Sequence, residues 1–120
     1  MATILVMDDE APVRELLSTA LQSVGYAVVE ASNGREGLRL YRQSPADLVM
    51  VDLLMPELNG PDTIIELTRE FLNIKVIAMS GIFGDELMKK TARLLGARRT
   101  LRKPFGIDEM LKAVRYELAH

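Results

Sequence analysis

Three apolar runs of strand length recur along this chain, Ile4-Leu5-Val6-Met7, Leu48-Val49-Met50-Val51 and Val76-Ile77-Ala78-Met79, and a weaker strand covers Arg99 to Arg102. Each is followed by a stretch with helical periodicity. Near-continuous apolar strands alternating with amphipathic helices predict a parallel sheet covered on both faces. After the first run, Val13, Leu16, Leu17, Ala20, Leu21 and Val24 fall at helical spacing, with Pro12 in the first turn and Gly25 as the stop. Tyr26 to Glu30 reads as a second strand, and Asn33 with Glu36 as the start of a helix that Ser44-Pro45 ends. A third strand covers Asp47 to Val51, and a third helix runs from about Pro61 to Phe71. The fourth strand spans Ile74 to Met79, and the fourth helix Asp85 to Leu95, stopped by Gly96. Ile107, Met110, Leu111, Val114 and Leu118 mark the last helix. The expectation is an α/β (βα)5 fold, a five-stranded parallel sheet in a three-layer sandwich. One domain over residues 1–120 accounts for all of it.

The runs end in unusual company. The first meets Asp8-Asp9, the second Asp52, and the third Ser80, while the last leads to Lys103-Pro104-Phe105. In a parallel sheet all carboxyl ends lie along one edge, so these side chains are expected to converge there. Carboxylates gathered together repel unless a cation joins them. Asp8 and Asp9 offer hard oxygen ligands suited to Mg2+. Asp52 at a strand end is placed to act as a nucleophile toward phosphorus. Phosphoryl transfer asks little else of a protein than in-line positioning and groups that stabilise the oxygens. Lys103 supplies a point charge and Ser80 a hydroxyl donor.

With no cysteine, disulfides and thiolate chemistry are excluded. A net charge of -2 gives no case for nucleic acid or an anionic membrane as direct partner. No leader and no membrane-spanning run is read, and a cytoplasmic location is expected.

Taken together, Asp8-Asp9, Asp52 followed by Met55-Pro56 and Gly60, Ser80, and Lys103-Pro104-Phe105 resemble the receiver domain of two-component response regulators. The resemblance covers essentially the whole chain. It implies a flavodoxin-like sheet of order 2-1-3-4-5, with Asp52 as phosphoacceptor. It also implies Asp9 as a direct metal ligand, Asp8 acting through metal-bound water, and the Leu54 carbonyl completing the set with Asp52. Ser80 would be the switch hydroxyl, Lys103 the phosphate partner, and Lys103-Pro104 a cis bond. The phosphodonor would be a partner histidine kinase or histidine phosphotransfer protein. The domain would be a monomer or weak dimer that catalyses only its own phosphorylation and slow dephosphorylation.

Two positions depart from the family pattern. Thr100 stands where an aromatic often tracks the switch hydroxyl. Leu54 and Ile82 are apolar where the family tunes phosphoryl lifetime, so slow loss of phosphate is expected. Simpler readings stand beside these. Asp8 and Asp9 suit a helix start, and Ser80 a small strand-ending residue. Arg93, Arg98, Arg99 and Arg102 suit an edge protected by charge. His120, the single histidine, is poorly placed as a phosphodonor. An aspartate-nucleophile phosphatase is the rival enzyme, weakened because Leu54 replaces its second acid. Nucleotide or flavin binding lacks a glycine-rich loop, and binding without phosphorylation remains the third alternative.

Overall fold

The computed structural model describes residues 1–55, 59–81 and 85–120; Pro56 and Ile82 lie outside the described residues. Among the described residues five strands and five helices alternate: β1 (Thr3–Met7), α1 (Ala11–Ser23), β2 (Ala27–Ala31), α2 (Gly34–Gln43), β3 (Leu48–Asp52), α3 (Gly60–Glu70), β4 (Val76–Ser80), α4 (Asp85–Leu95), β5 (Arg99–Arg102) and α5 (Ile107–Ala119). The strands form one parallel sheet in the order β2-β1-β3-β4-β5. This is the flavodoxin-like order that the family resemblance implied.

The period-2 alternation of each strand divides its side chains between two cores. Leu5, Met7, Val49, Val51 and Ala78 face the layer that contributes Leu38, Ile64, Leu67 and Ala92 from α2, α3 and α4. Ile4, Val6, Met50, Ile77, Met79 and Leu101 face Leu17 and Leu21 of α1 and Met110 and Val114 of α5. The central strands β3 and β4 are buried at every residue. That explains why they read as unbroken apolar runs rather than alternating ones.

Local chemistry sets the joints. The Asn33 side chain accepts from the Glu36 N–H at 2.8 Å, and the Glu36 carboxylate accepts from Ser32 N–H at 2.8 Å. Asn59 caps α3 by accepting from Asp62 N–H at 3.0 Å. At Gly60 a side chain would collide with the backbone of Asp52 and Leu53, so only glycine lets α3 start directly against the end of β3. Gly96 takes φ +119°, and its neighbour Leu95 offers its carbonyl to the Thr68 hydroxyl at 3.1 Å. This joins the end of α4 to α3.

Strand starts differ from expectation by one or two residues. Tyr26 N–H is taken by Leu21 O at the end of α1, so β2 begins at Ala27. Asp47 precedes β3, and its carboxylate accepts from Thr3 N–H at 2.7 Å. The fourth strand starts at Val76 rather than Ile74. None of these shifts moves the carboxyl edge.

Candidate functional site

At the carboxyl edge of the sheet, Asp8 lies one residue beyond β1, Asp52 ends β3, Ser80 ends β4 and Lys103 follows β5. The register places Met7 beside Val51, Asp52 beside Met79 and Ser80 beside Arg102, so these ends sit side by side. Lys103 N–H donates to Ser80 O at 2.7 Å and the Lys103-Pro104 bond is cis.

Among the described residues the Lys103 ammonium reaches three acids: Asp8 Oδ2 at 2.7 Å, Asp52 Oδ2 at 3.4 Å and Glu10 Oε1 at 3.8 Å. Burial works against its charge, but the hydrogen bond to Asp8 and the charges of Asp52 and Asp8 outweigh it, so its pKa is raised. Lys103 therefore stays an ammonium.

Asp52 is 4% exposed, and its Oδ1 accepts from Leu54 N–H at 3.1 Å. Burial pushes its pKa up to about 6, opposed by the Leu54 N–H and Lys103 and reinforced by the Asp8 charge. Leu54 itself is 61% exposed, with its side chain turned away from the core.

Asp8 is fully buried, and its Oδ1 accepts from Glu10 N–H at 2.9 Å. This bond turns the chain so that Glu10 becomes the residue before α1, although its side chain makes no cap bond. One carboxylate oxygen each from Asp8, Glu10 and Asp52 lies within 4.8 Å of the others. Asp9, expected as a direct metal ligand, is exposed and lies outside this group. The turn that sends Asp9 outward brings Glu10 back toward Lys103. Glu10 went unremarked in the sequence, where its only signal was being third in the run Asp8-Asp9-Glu10.

Ser80 is 1% exposed, and its Oγ has no hydrogen-bond partner among the described residues. A buried hydroxyl without a partner costs about 1–3 kcal/mol. Its free donor could serve a ligand with acceptor oxygens. The acid group and the hard-oxygen donor set likewise fit a divalent cation.

The remaining candidates lie elsewhere. Thr100 is half-buried and pairs in register with Ala78. Arg99 bonds Glu117 at 3.1 Å and lies 5.3 Å from the Tyr116 ring centre. The β5 strand that carries it is a sheet edge. His120 stacks on Tyr116 beyond the end of α5, and its Nδ1 lies 2.8 Å from Tyr116 O. No helix among the described residues is long and apolar enough to cross a membrane.

Comparison with known proteins agrees with this geometry. The family model described as the response regulator receiver domain matches residues 4–115. The chain is 36% identical over 112 residues to the chemotaxis protein CheY of Thermotoga maritima, covering 92% of each. It is equally 36% identical over 112 residues to a probable transcriptional regulator, ycf27, of Guillardia theta, covering 93% of this chain and 43% of that one. The chain thus spans under half the length of that relative. A receiver domain protein from Clostridium thermocellum superimposes with a TM-score of 0.93 at 31% identity, covering 99% of this chain and 95% of that one. The receiver domain of NtrX from Brucella abortus gives 0.92 at 25% identity, covering 97% and 98%. Fold, sheet order and the acids and lysine at the sheet edge meet in one conclusion: the chain belongs to the response regulator receiver domains of two-component signalling.

Proposed function

We propose that residues 1–120 act as one phosphorylation-operated switch, in which Asp52 accepts a phosphoryl group from the phosphohistidine of a partner kinase or histidine phosphotransfer protein. The observation that carries this reading is Asp52 itself, a buried carboxylate at a strand end with Lys103 at 3.4 Å. With a pKa of about 6 it is roughly nine-tenths ionised at pH 7, so it is available as a nucleophile. An Asp52 oxygen forms the new P–O bond as the donor's P–N bond breaks. The electron pair goes to the imidazole nitrogen, which then takes a proton. Lys103 balances charge on the phosphoryl oxygens, and the Ser80 hydroxyl donates to one of them once the group is attached.

Asp8, Asp52 and the Leu54 carbonyl would hold Mg2+, with Asp9 or Glu10 completing the acids. A bound Mg2+ neutralises charge on the phosphoryl oxygens as they approach the carboxylates. The protein turns over no external substrate, so it is a switch rather than a metabolic enzyme, with slow loss of its own phosphate.

The donor has to surround the mouth of this pocket. An apolar groove of about 550 Å3, lined by Val13, Leu16, Leu17, Pro104 and Phe105, runs up to Lys103. Leu16 within it is 58% exposed, which suits it to meet the phosphodonor protein. The phosphorylated form then alters its binding surface around α4, β5 and α5 for an output partner, without contacting nucleic acid directly.

Acetyl phosphate with Mg2+ tests the assignment. The wild-type protein gains one phosphoryl group by mass and shifts its amide NMR resonances, and Asp52→Asn does neither. A gain of equal size in Asp52→Asn sinks the proposal.

A further inference from the structure

Asp8 sits where β1 has ended and α1 has not begun. Its N–H still donates to Ala31 O at 3.1 Å, but its carbonyl lies past the last rung of the ladder between β1 and β3. That carbonyl is taken by Arg14, whose Nη1–H donates to it at 2.7 Å from the second turn of α1. The same guanidinium donates from Nε to Glu30 Oε1 at 3.1 Å, on the exposed edge strand β2. The Arg14 side chain is only 18% exposed. Glu30 thus orients a largely covered cation, and the cation holds the peptide that carries Asp8.

We propose that Arg14, oriented by Glu30, is a positioning residue that fixes the Asp8 carboxylate for the divalent cation and for Lys103. The proposal rests on the metal-assisted reading given above. Its basis is that every polar group of Asp8 is held: N–H by Ala31, carbonyl by Arg14, Oδ1 by Glu10 N–H and Oδ2 by Lys103. Ala31 fixes one end of the residue, and Arg14 fixes the peptide plane on the other. Without Arg14 that plane can rotate about the Asp8 Cα–C bond, which carries the Glu10 N–H away from Oδ1 and frees the carboxylate to turn. Groups that orient metal ligands are commonly worth tenfold or more in metal affinity.

Charge alone predicts the opposite result. Arg14 is a cation beside an acid cluster, so removing it should draw Mg2+ in more tightly if only the field mattered. This makes the sign of the effect decisive. Mg2+ titration followed by amide NMR, with a urea unfolding curve for each protein, separates the two. Arg14→Met is expected to weaken Mg2+ binding about tenfold. Glu30→Gln is expected to weaken it by a smaller factor, because Arg14 keeps its bond to Asp8. Arg14→Lys keeps the charge but cannot reach both partners, and is expected to fall between wild type and Arg14→Met. A purely structural role would lower the urea midpoint and leave the folded protein's affinity for Mg2+ unchanged. A folded Arg14→Met that binds Mg2+ as tightly as wild type, or more tightly, overturns the assignment. Should Arg14→Met fail to fold, Arg14→Lys and Glu30→Gln decide by the same criterion. If the wild-type protein binds no Mg2+, the metal-assisted function falls along with the clamp; unchanged binding in the variants removes only the clamp.

Discussion

On one side of Asp52, Asp8 has a protein partner for every polar group and Lys103 lies against three carboxylates. On the other side, the Ser80 hydroxyl is buried with no partner among the described residues, and the next strand offers Thr100 rather than an aromatic ring. The two sides of one pocket are therefore in different states of completion. The acid side is built to hold charge in place before any ligand arrives. The hydroxyl side carries a donor whose acceptor, under the proposed function, comes with the phosphoryl group. Under the proposed function, rigid positioning serves the reaction and the unfinished bond serves signalling.

The largest test of this contrast falls on the acid side. Lys103→Gln leaves Asp8 buried beside Asp52 without its counter-charge. Breaking one partner of a buried ion pair costs about 3–5 kcal/mol, so a large fall in the urea midpoint is expected. Phosphorylation by acetyl phosphate should drop by at least about tenfold in the protein that remains folded. A variant as stable and as readily phosphorylated as wild type would break the comparison.

The second test uses pH. The folded-state pKa of Asp52 is raised from 3.8 to about 6, so the folded protein holds this proton more tightly than the unfolded chain. That contribution to stability is fully present below about pH 4 and is lost as pH rises through about 6. Above that range the buried carboxylate is a burden of about 1–3 kcal/mol. Asp52→Asn should therefore be more stable than wild type at pH 7 without Mg2+, and the gain should shrink toward pH 4. Urea titrations at the two pH values check it; a gain independent of pH contradicts the burial of that charge.

Ser80→Ala probes the other side and should change stability little. Removing an unpartnered buried hydroxyl relieves its desolvation cost but leaves a small void, so the net gain is expected to stay within about 1 kcal/mol. The variant should still accept phosphate on Asp52 yet show smaller amide shifts around β4 and β5. A loss of stability above about 1 kcal/mol would mean the hydroxyl has a partner in solution. The smallest effect is reserved for Leu54, whose exposed apolar side chain cannot hydrogen-bond an attacking water. Leu54→Asn should speed dephosphorylation severalfold, read as the decay of phosphoprotein by mass. An unchanged decay rate counts against a role for this position in phosphate lifetime.

Much of this arrangement is legible in the chain because parallel strands impose their own logic. Runs such as Leu48 to Val51 are apolar throughout since both faces are covered, and whatever follows them lands on one edge. Asp52, Ser80 and Lys103 could be placed together on that ground alone. The sheet order could not, since period and length do not say which strands are neighbours; it came through the family resemblance. Side-chain direction at a turn is also invisible to spacing. Asp9 and Glu10 are adjacent acids of similar chemistry, and the Asp8 bond to Glu10 N–H decides which one faces Lys103. Arg14 was hidden for a related reason. Its partners are a carbonyl, which every residue has, and Glu30 on a strand 16 residues away. Such a contact leaves no local pattern to read.

The bond between Lys103 and Asp8 joins residues 95 positions apart, so the acceptor pocket is closed by nearly the two ends of the fold. Contacts of such long range form late, because the intervening chain must first be ordered. A partly folded chain holds Asp52 as an ordinary aspartate with no counter-charge and no neighbouring acid. On the proposed reading, competence to be phosphorylated would be acquired only when β5 has docked, and the ability to receive a signal would become a check that folding has finished.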